Sequence, residues 1–239
     1  MHILAIDTAT NSGGVALSRG AELVDVRMLQ PPRCYSEKVI SAVDSLLTHH
    51  NLEMSDIDCL VASVGPGSFT GIRIGLATVK AFCQPLAKPV VGISTLAALA
   101  CRFSHLSRYV APMMDAGRKQ IYGAVYRIEG SEMYIESPEQ VLSPARWLAS
   151  VPASHCLFAG DGVAPYKGLI LSACPEARVL ETDNRLVEQL CLLGHRYFVK
   201  GNILEAQELA ANYIRPSDAE LGALSPRHSD RHRRDLPDE

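Results

Sequence analysis

The strongest constraint on the fold of this chain is an order of segments that occurs twice. Near the start, Ile3-Leu4-Ala5-Ile6 is an apolar run that stops at Asp7-Thr8-Ala9-Thr10. Gly13-Gly14 turns the chain into a second strand at 15–18, and Arg19-Gly20 turns it into an alternating third at 22–29. Strands joined by tight turns predict an antiparallel meander, ended here by Pro31-Pro32. From Ser36, a predicted N-cap, Val39, Ile40, Val43, Leu46 and Leu47 recur at helical spacing. An apolar strand at 59–62, a glycine-rich turn and a second helix follow, then a short strand at Val90-Val91 and a helix opened by Ser94. The order restarts at 109–114, which stops at Asp115. Strands at 121–128 and 132–136 come next, then a helix with Pro144 in its first turn, then 156–159 running into Gly160-Asp161-Gly162. Helices at 166–171 and 187–198 complete this half, Gly201 closing the last. The order of elements, rather than residue identity, carries the repeat.

A meander followed by helix and parallel strand, duplicated, is similar to the ground plan of the actin/Hsp70/sugar-kinase group. The expectation is an α/β fold of the actin/Hsp70-like (ASKHA) type. Each of its two lobes would hold a mixed sheet flanked by helices, and strand-end carboxylates such as Asp7 and Asp115 would face the cleft between them. The predicted divisions are 1–103, a lobe carrying partner-binding helices, 104–216, a second lobe, and 217–239, a charged tail. Arg227, Arg231, Arg233 and Arg234 stand in that tail among Asp, Glu and Pro, with few apolar residues, a composition that predicts disorder.

With 239 residues, 47% hydrophobic and 21% charged, the chain can bury a substantial core. A net charge of −3 gives the whole chain no nucleic-acid-binding signature. Seven scattered cysteines without a Cys-x-x-Cys pair read as buried thiols in a reducing compartment. The chain opens on a strand, without a basic leader, and no apolar run approaches membrane-spanning length. These features predict a cytoplasmic protein with no membrane association.

The turn of the first half holds Gly65, Gly67 and Gly71, with Pro66 between the first two, and Ser68 and Thr70 are both able to cap the helix that follows. Strand, glycine turn and helix start are the parts of an anion cradle. A P-loop would place Lys and Ser or Thr directly after the last glycine, whereas Gly71 is followed by Ile72 and Arg73. Phosphate binding and a purely structural turn both stay open. Asp7, followed by the bulky Thr8-Ala9-Thr10-Asn11-Ser12, either orients a ligand or caps its own turn, and Asp161 has the same two readings. Ser68 is a cap or, less simply, a nucleophile, but no Gly-x-Ser-x-Gly elbow surrounds it. Of the eight histidines, His228 and His232 have ligand spacing, but they stand in the charged tail without a companion carboxylate on an apolar helix. No metal site and no cofactor is expected.

The helix after Gly71 has two apolar faces. Ile72, Leu76, Val79 and Cys83 share one; Ile74, Ala77, Ala81 and Phe82 lie on the other, with Arg73 and Lys80 in a basic stripe between. Such a helix is either wholly buried or holds one face for a partner. Its position on the outside of a lobe favours the partner, with Gly71, Gly75 and Ala81 allowing close helix–helix approach.

The run from Gly65 to Gly75, Gly-Pro-Gly-Ser-Phe-Thr-Gly-Ile-Arg-Ile-Gly, resembles the signature of the bacterial TsaB (YeaZ) family. Ala5-Ile6-Asp7-Thr8, Gly92-Ile93-Ser94-Thr95-Leu96 and Met114-Asp115-Ala116-Gly117-Arg118 match it in order and spacing. Asn212-Tyr213-Ile214-Arg215 resembles its closing Tyr-aliphatic-Arg, with Ala211 where proline is common. The resemblance implies a non-catalytic scaffold in the transfer of a threonylcarbamoyl group to the adenosine beside the anticodon of tRNAs reading codons that begin with A. It implies a TsaD-like catalytic partner, a TsaE-like ATPase in the larger complex, a homodimer when alone, and indirect contact with tRNA. No catalytic residue and no metal would belong to this chain, which lacks the His-x-x-x-His motif of the catalytic subunit in its fold region. Pairing would use Val39, Val43 and Leu46 of the first helix with Ile74, Leu76 and Phe82 of the second. Loop contacts would come from Asp7, Gly65, Gly67, Ser68, Thr70, Gly71 and Arg73. The competing reading is an independent ATPase or kinase of the same fold, or a glycoprotease-like peptidase.

Overall fold

The computed structural model describes residues 1–30, 34–152 and 155–215. Pro31-Pro32, the tail 217–239 and its His228 and His232 lie outside them. The first half comprises β1 (His2–Asp7), β2 (Gly14–Arg19), β3 (Glu22–Met28), α1 (Tyr35–His49), β4 (Cys59–Gly65), α2 (Phe69–Leu86), β5 (Val90–Ser94) and α3 (Thr95–Arg102). The second comprises β6 (Tyr109–Asp115), β7 (Ile121–Glu129), β8 (Glu132–Leu142), α4 (Pro144–Leu148), β9 (Cys156–Gly160), α5 (Lys167–Ala173), β10 (Arg178–Glu181) and α6 (Val187–Val199).

The two sheets share one topology. The first runs β3-β2-β1-β4-β5 and the second, read from its other edge, β8-β7-β6-β9-β10. In each, the meander is antiparallel and the last two strands are parallel additions. Even the register agrees: β1 sets Ile3 opposite Cys59, and β6 sets Tyr109 opposite Cys156. This is the actin/Hsp70-like plan of two mixed sheets flanked by helices.

Five layers result. Helices α1 and α2 cover the outer face of the first sheet through a core of Leu4, Ile6, Leu46, Leu60, Ile72 and Val79. Trp147 and Leu148 of α4, with Ile170 of α5, cover the outer face of the second sheet against Phe158, Met113 and Val125. Between the sheets lie α3 and α6, packed against each other in a third core. The predicted division at 103/104 separates the sheets, but not the chain that serves them. Helix α6, read from sequence as part of the second lobe, lies on β1, β2 and β4. A Cβ at Gly194 would come within 2.3 Å of Val61, so the helix approaches that strand as closely as it does because residue 194 has no side chain. The chain from 202 to 215 stays with the first lobe as well, with Leu204 bridging Val90 and the Asn212 N–H donating to Val64 O.

Three local expectations differ from what forms. Ser36 is not the cap of α1: the helix starts at Tyr35, whose side chain is buried, while Ser36 is already in the first turn. Strand β8 continues six residues beyond Glu136, because bulges near Val125 let it follow β7 past Pro138. Strand β10, absent from the sequence reading, is a four-residue edge strand that completes the repeat.

Candidate functional site

Strand β1 delivers Asp7 to the centre of the first lobe, fully buried. Its Oδ1 accepts from Ala9 N–H at 2.9 Å and from Ser63 Oγ at 2.6 Å, and its Oδ2 from Thr10 Oγ1 at 2.9 Å. Burial pushes the carboxyl above its ordinary range, against the opposing effect of these donors. Asp7 therefore locks its own turn, as the capping reading expects, and does not line the cleft. Tyr35 extends the lock: its hydroxyl donates to Thr10 O and accepts from Gly13 N–H, both at 2.8 Å.

The glycine turn between β4 and α2 closes over this lock. Ser68 N–H donates to Ala9 O at 2.8 Å, and a Cβ at Gly67 would lie 2.3 Å from that same oxygen. At Gly71 a Cβ would lie 1.9 Å from Thr8 O, and at Gly75 2.4 Å from Thr8 Oγ1, which itself donates to Gly71 O. Gly65, at φ +104°, has a backbone that side chains avoid. Ser68 is the N-cap, accepting from Gly71 N–H at 3.2 Å; Thr70 is exposed in the first turn. Thus Gly71 and Gly75 admit the β1 loop rather than another helix, correcting the role their small size suggests. Of the turn's donors, Ser68 N–H is taken by Ala9 O and Gly71 N–H by Ser68 Oγ, which narrows the cradle they would make for a phosphate.

Arg73 is exposed on α2, but it is not a loose cation. Its guanidinium lies 3.9 Å above the Phe69 ring, and its Nε donates to Tyr213 Oη at 3.1 Å, while Tyr213 stacks on Phe69. The closing segment is thereby fastened to the start of α2. Arg215 reaches the other lobe by donating to Ala116 O.

Across the cleft stand Asp115, exposed, and Asp161. Asp161 Oδ1 accepts from Asp115 N–H at 3.0 Å, and Asp115 Oδ1 from Gly117 N–H at 2.9 Å. The cleft measures about 250 Å³, and its lining includes Thr10, Asn11 and Ser68 from the first lobe and Tyr122 and Asn184 from the second. No Lys, Arg or His is among its described lining residues, so two carboxylates set its charge. Such a wall disfavours a polyanion, and Ser68 shares the cleft with both carboxylates. Among the cysteines, Cys34 is half-buried and the other six are buried. Burial pushes Cys59 and Cys191 up to about 12, and Cys83 and Cys156 to about 11.

The helix faces divide the predicted pairing residues. Val39, Val43, Leu46 and Leu76 are all inside the first lobe's core, so they hold the two helices from beneath and have no surface to offer. Ile74 and Phe82 are only partly covered, Ala77 and Ala81 are exposed, and Ile40 on the neighbouring α1 is 58% exposed. Sequence periodicity missed Ile40 as a surface residue because it sits beside Val39 in the same apolar run. One further cluster went unseen: Asp25, His49 and His50, brought together from β3 and the end of α1.

Among the described residues, no helix is long and apolar enough to cross a membrane. Residues 31–216 match the family described as TsaD, tRNA N6-adenosine threonylcarbamoyltransferase. The chain is 28% identical over 225 residues to the tRNA threonylcarbamoyladenosine biosynthesis protein TsaB of Bacillus subtilis, covering 92% of this chain and 96% of that one. It is 35% identical over 148 residues to TsaB of Escherichia coli, covering 60% and 63%. The solved structure of YeaZ from Pseudomonas aeruginosa superposes with a TM-score of 0.77 at 28% identity, over 89% of this chain and 99% of the other. With the glycine turn, the duplicated sheets and these likenesses in agreement, the chain belongs to the TsaB (YeaZ) family within the TsaD-related group.

Proposed function

We propose that this protein is the non-catalytic scaffold subunit of a complex that makes threonylcarbamoyladenosine beside the tRNA anticodon. The TsaB names of its relatives support the pathway. The observation that carries the scaffold role is the outer face of α1 and α2. There Ile40, Ala77 and Ala81 are exposed, and Ile74 and Phe82, packed on the rim of a core that the opposite face fills, are only partly covered. The glycine turn launches that face and ties it closely to the loop after β1. The partner is a TsaD-like catalytic subunit, with a TsaE-like ATPase joining the larger complex. A second copy of the chain takes the same face when it is alone, and contact with tRNA is made through the partner. The site of action is the cytoplasm.

The test is a reconstituted threonylcarbamoylation assay with this subunit omitted and restored. Restoration of activity is expected from the wild type, but not from Phe82→Glu or Ile74→Glu, both of which should still fold and melt cooperatively. Equal activity from the catalytic subunit alone sinks the reading. Leu76→Glu is the wrong probe of the interface, since it places a charge in the core and should unfold the lobe.

A further inference from the structure

The geometry points to a divalent transition-metal site, suited to zinc, formed by Asp25, His49 and His50 where the end of α1 meets β3. One ligand atom from each residue lies within 4.8 Å of the others. His50 Nε2 and Asp25 Oδ2 are already 3.0 Å apart. Tetrahedral zinc with bonds near 2.0–2.1 Å wants its donors about 3.3 Å from one another. The remaining adjustment falls on His49, which is exposed and whose ring lies edge-on to His50 at 4.9 Å, so a side-chain rotation suffices.

Three features favour a cation there. The Asp25 carboxylate is pre-set, because its Oδ1 accepts from Val26 N–H at 2.7 Å, which leaves Oδ2 aimed at the histidines. His49 and His50 sit at the C-terminal end of a fifteen-residue helix, where the backbone dipole attracts positive charge. Two imidazoles, one carboxylate and an open fourth position form a zinc-type donor set, poorly matched to magnesium or calcium. Arg27, 2.9 Å from Asp25 Oδ2, is the competing cation. Its side chain is 38% exposed, so the guanidinium can swing into solvent when a metal takes the oxygen. Bound metal would staple the end of α1 to the outer part of the first sheet.

The experiment titrates the full chain with zinc by calorimetry and with cobalt(II) by visible absorption. His228→Ala and His232→Ala are present in every sample, so that the tail contributes no ligand. One equivalent should bind, with cobalt giving a tetrahedral spectrum and zinc raising the melting temperature. His49→Ala should weaken binding at least tenfold without altering the metal-free melt, since that side chain is exposed. Asp25→Asn should do likewise to binding, and Arg27→Ala should tighten it several-fold by removing the competitor. The proposal is overturned if no stoichiometric binding occurs, if His49→Ala binds as the wild type does, or if Arg27→Ala leaves affinity unchanged.

Discussion

The two lobes repeat one topology, yet the strand-end turns they present to the cleft are built differently. Counting from the matched pairs Ile3–Cys59 and Tyr109–Cys156, the fifth residue is Asp7 in one lobe and Met113 in the other. Both are fully buried. The register-equivalent of Asp7 is therefore a core methionine, and Asp115 stands two residues further out, where Ala9 stands in the first lobe. Strands β4 and β9 both read Cys-Leu-x-Ala. β9 then goes straight to Gly160, whereas β4 inserts Ser63 and Val64 before Gly65, and Ser63 supplies a donor to Asp7. Both glycine turns press on neighbouring backbone: Gly67 on Ala9 O in the loop after β1 and Gly160 on Met113 O in β6, each 2.3 Å from a would-be Cβ. The lesson is that one backbone device serves two chemistries. A buried, hydrogen-bonded carboxylate makes a rigid platform, and moving the carboxylate two residues outward makes a hydrated cleft wall.

Removing the carboxylates tests this contrast most harshly. Asp7→Ala orphans the donors of Ala9, Thr10 and Ser63, and should cost about 3 kcal/mol or more in urea unfolding. Asp115→Ala, at an exposed position, should stay within about 0.5 kcal/mol. Comparable losses would show that the lobes use their carboxylates alike. Next in size is Gly71→Ala, which forces a methyl group to within 1.9 Å of Thr8 O and should destabilise by about 2–3 kcal/mol. Gly162→Ala, whose nearest clash is 2.8 Å, should lose less.

A third measurement uses pH. Because burial raises the pKa of Asp7 above 3.8, the folded chain keeps a proton there that the unfolded chain has released. Stability should therefore fall as pH rises from 3.8 to the folded value, with a slope of at most about 1.4 kcal/mol per pH unit, and level off above it. Asp7→Asn should abolish that contribution, while Asp115→Asn should keep it; parallel profiles for the wild type and Asp7→Asn would refute the assignment. The smallest effect is Ser68→Ala, which removes the cap of α2 for about 1 kcal/mol, read as a small drop in melting temperature. The second turn is followed by a 3-10 turn without a side-chain cap, so Asp161→Ala should affect its helix less.

Sequence patterns reached the elements wherever local chemistry decides them. The meanders, the caps at Ser68 and Ser94, the apolar face of Ile72, Leu76, Val79 and Cys83, and the proline start of α4 all depend on neighbours within a few residues. What stayed hidden depends on distant chain. Ser36 loses the cap position because Tyr35 is drawn inward by Thr10 and Gly13, and β10 exists because β9 offers it an edge. Periodicity grouped Val39, Val43 and Leu46 correctly, but which face of α1 meets solvent is set by the sheet beneath it. Pairing Asp7 with Asp115 followed from their places at strand ends; only the inter-strand register separates them.

The return of α6 to the first sheet has a consequence for how the molecule is made. Cys191 Sγ donates to Ala16 O across 175 positions, and Val187, Leu190 and Leu193 cover the face shared by Ile3, Ala5 and Val61. On the ribosome, the strands from 2 to 94 emerge long before the helix that seals one side of them. The nascent first lobe must wait with that apolar face open, so its final closure is a late event. Contacts of such long sequence separation set a slow folding rate and a long window in which a chaperone could bind.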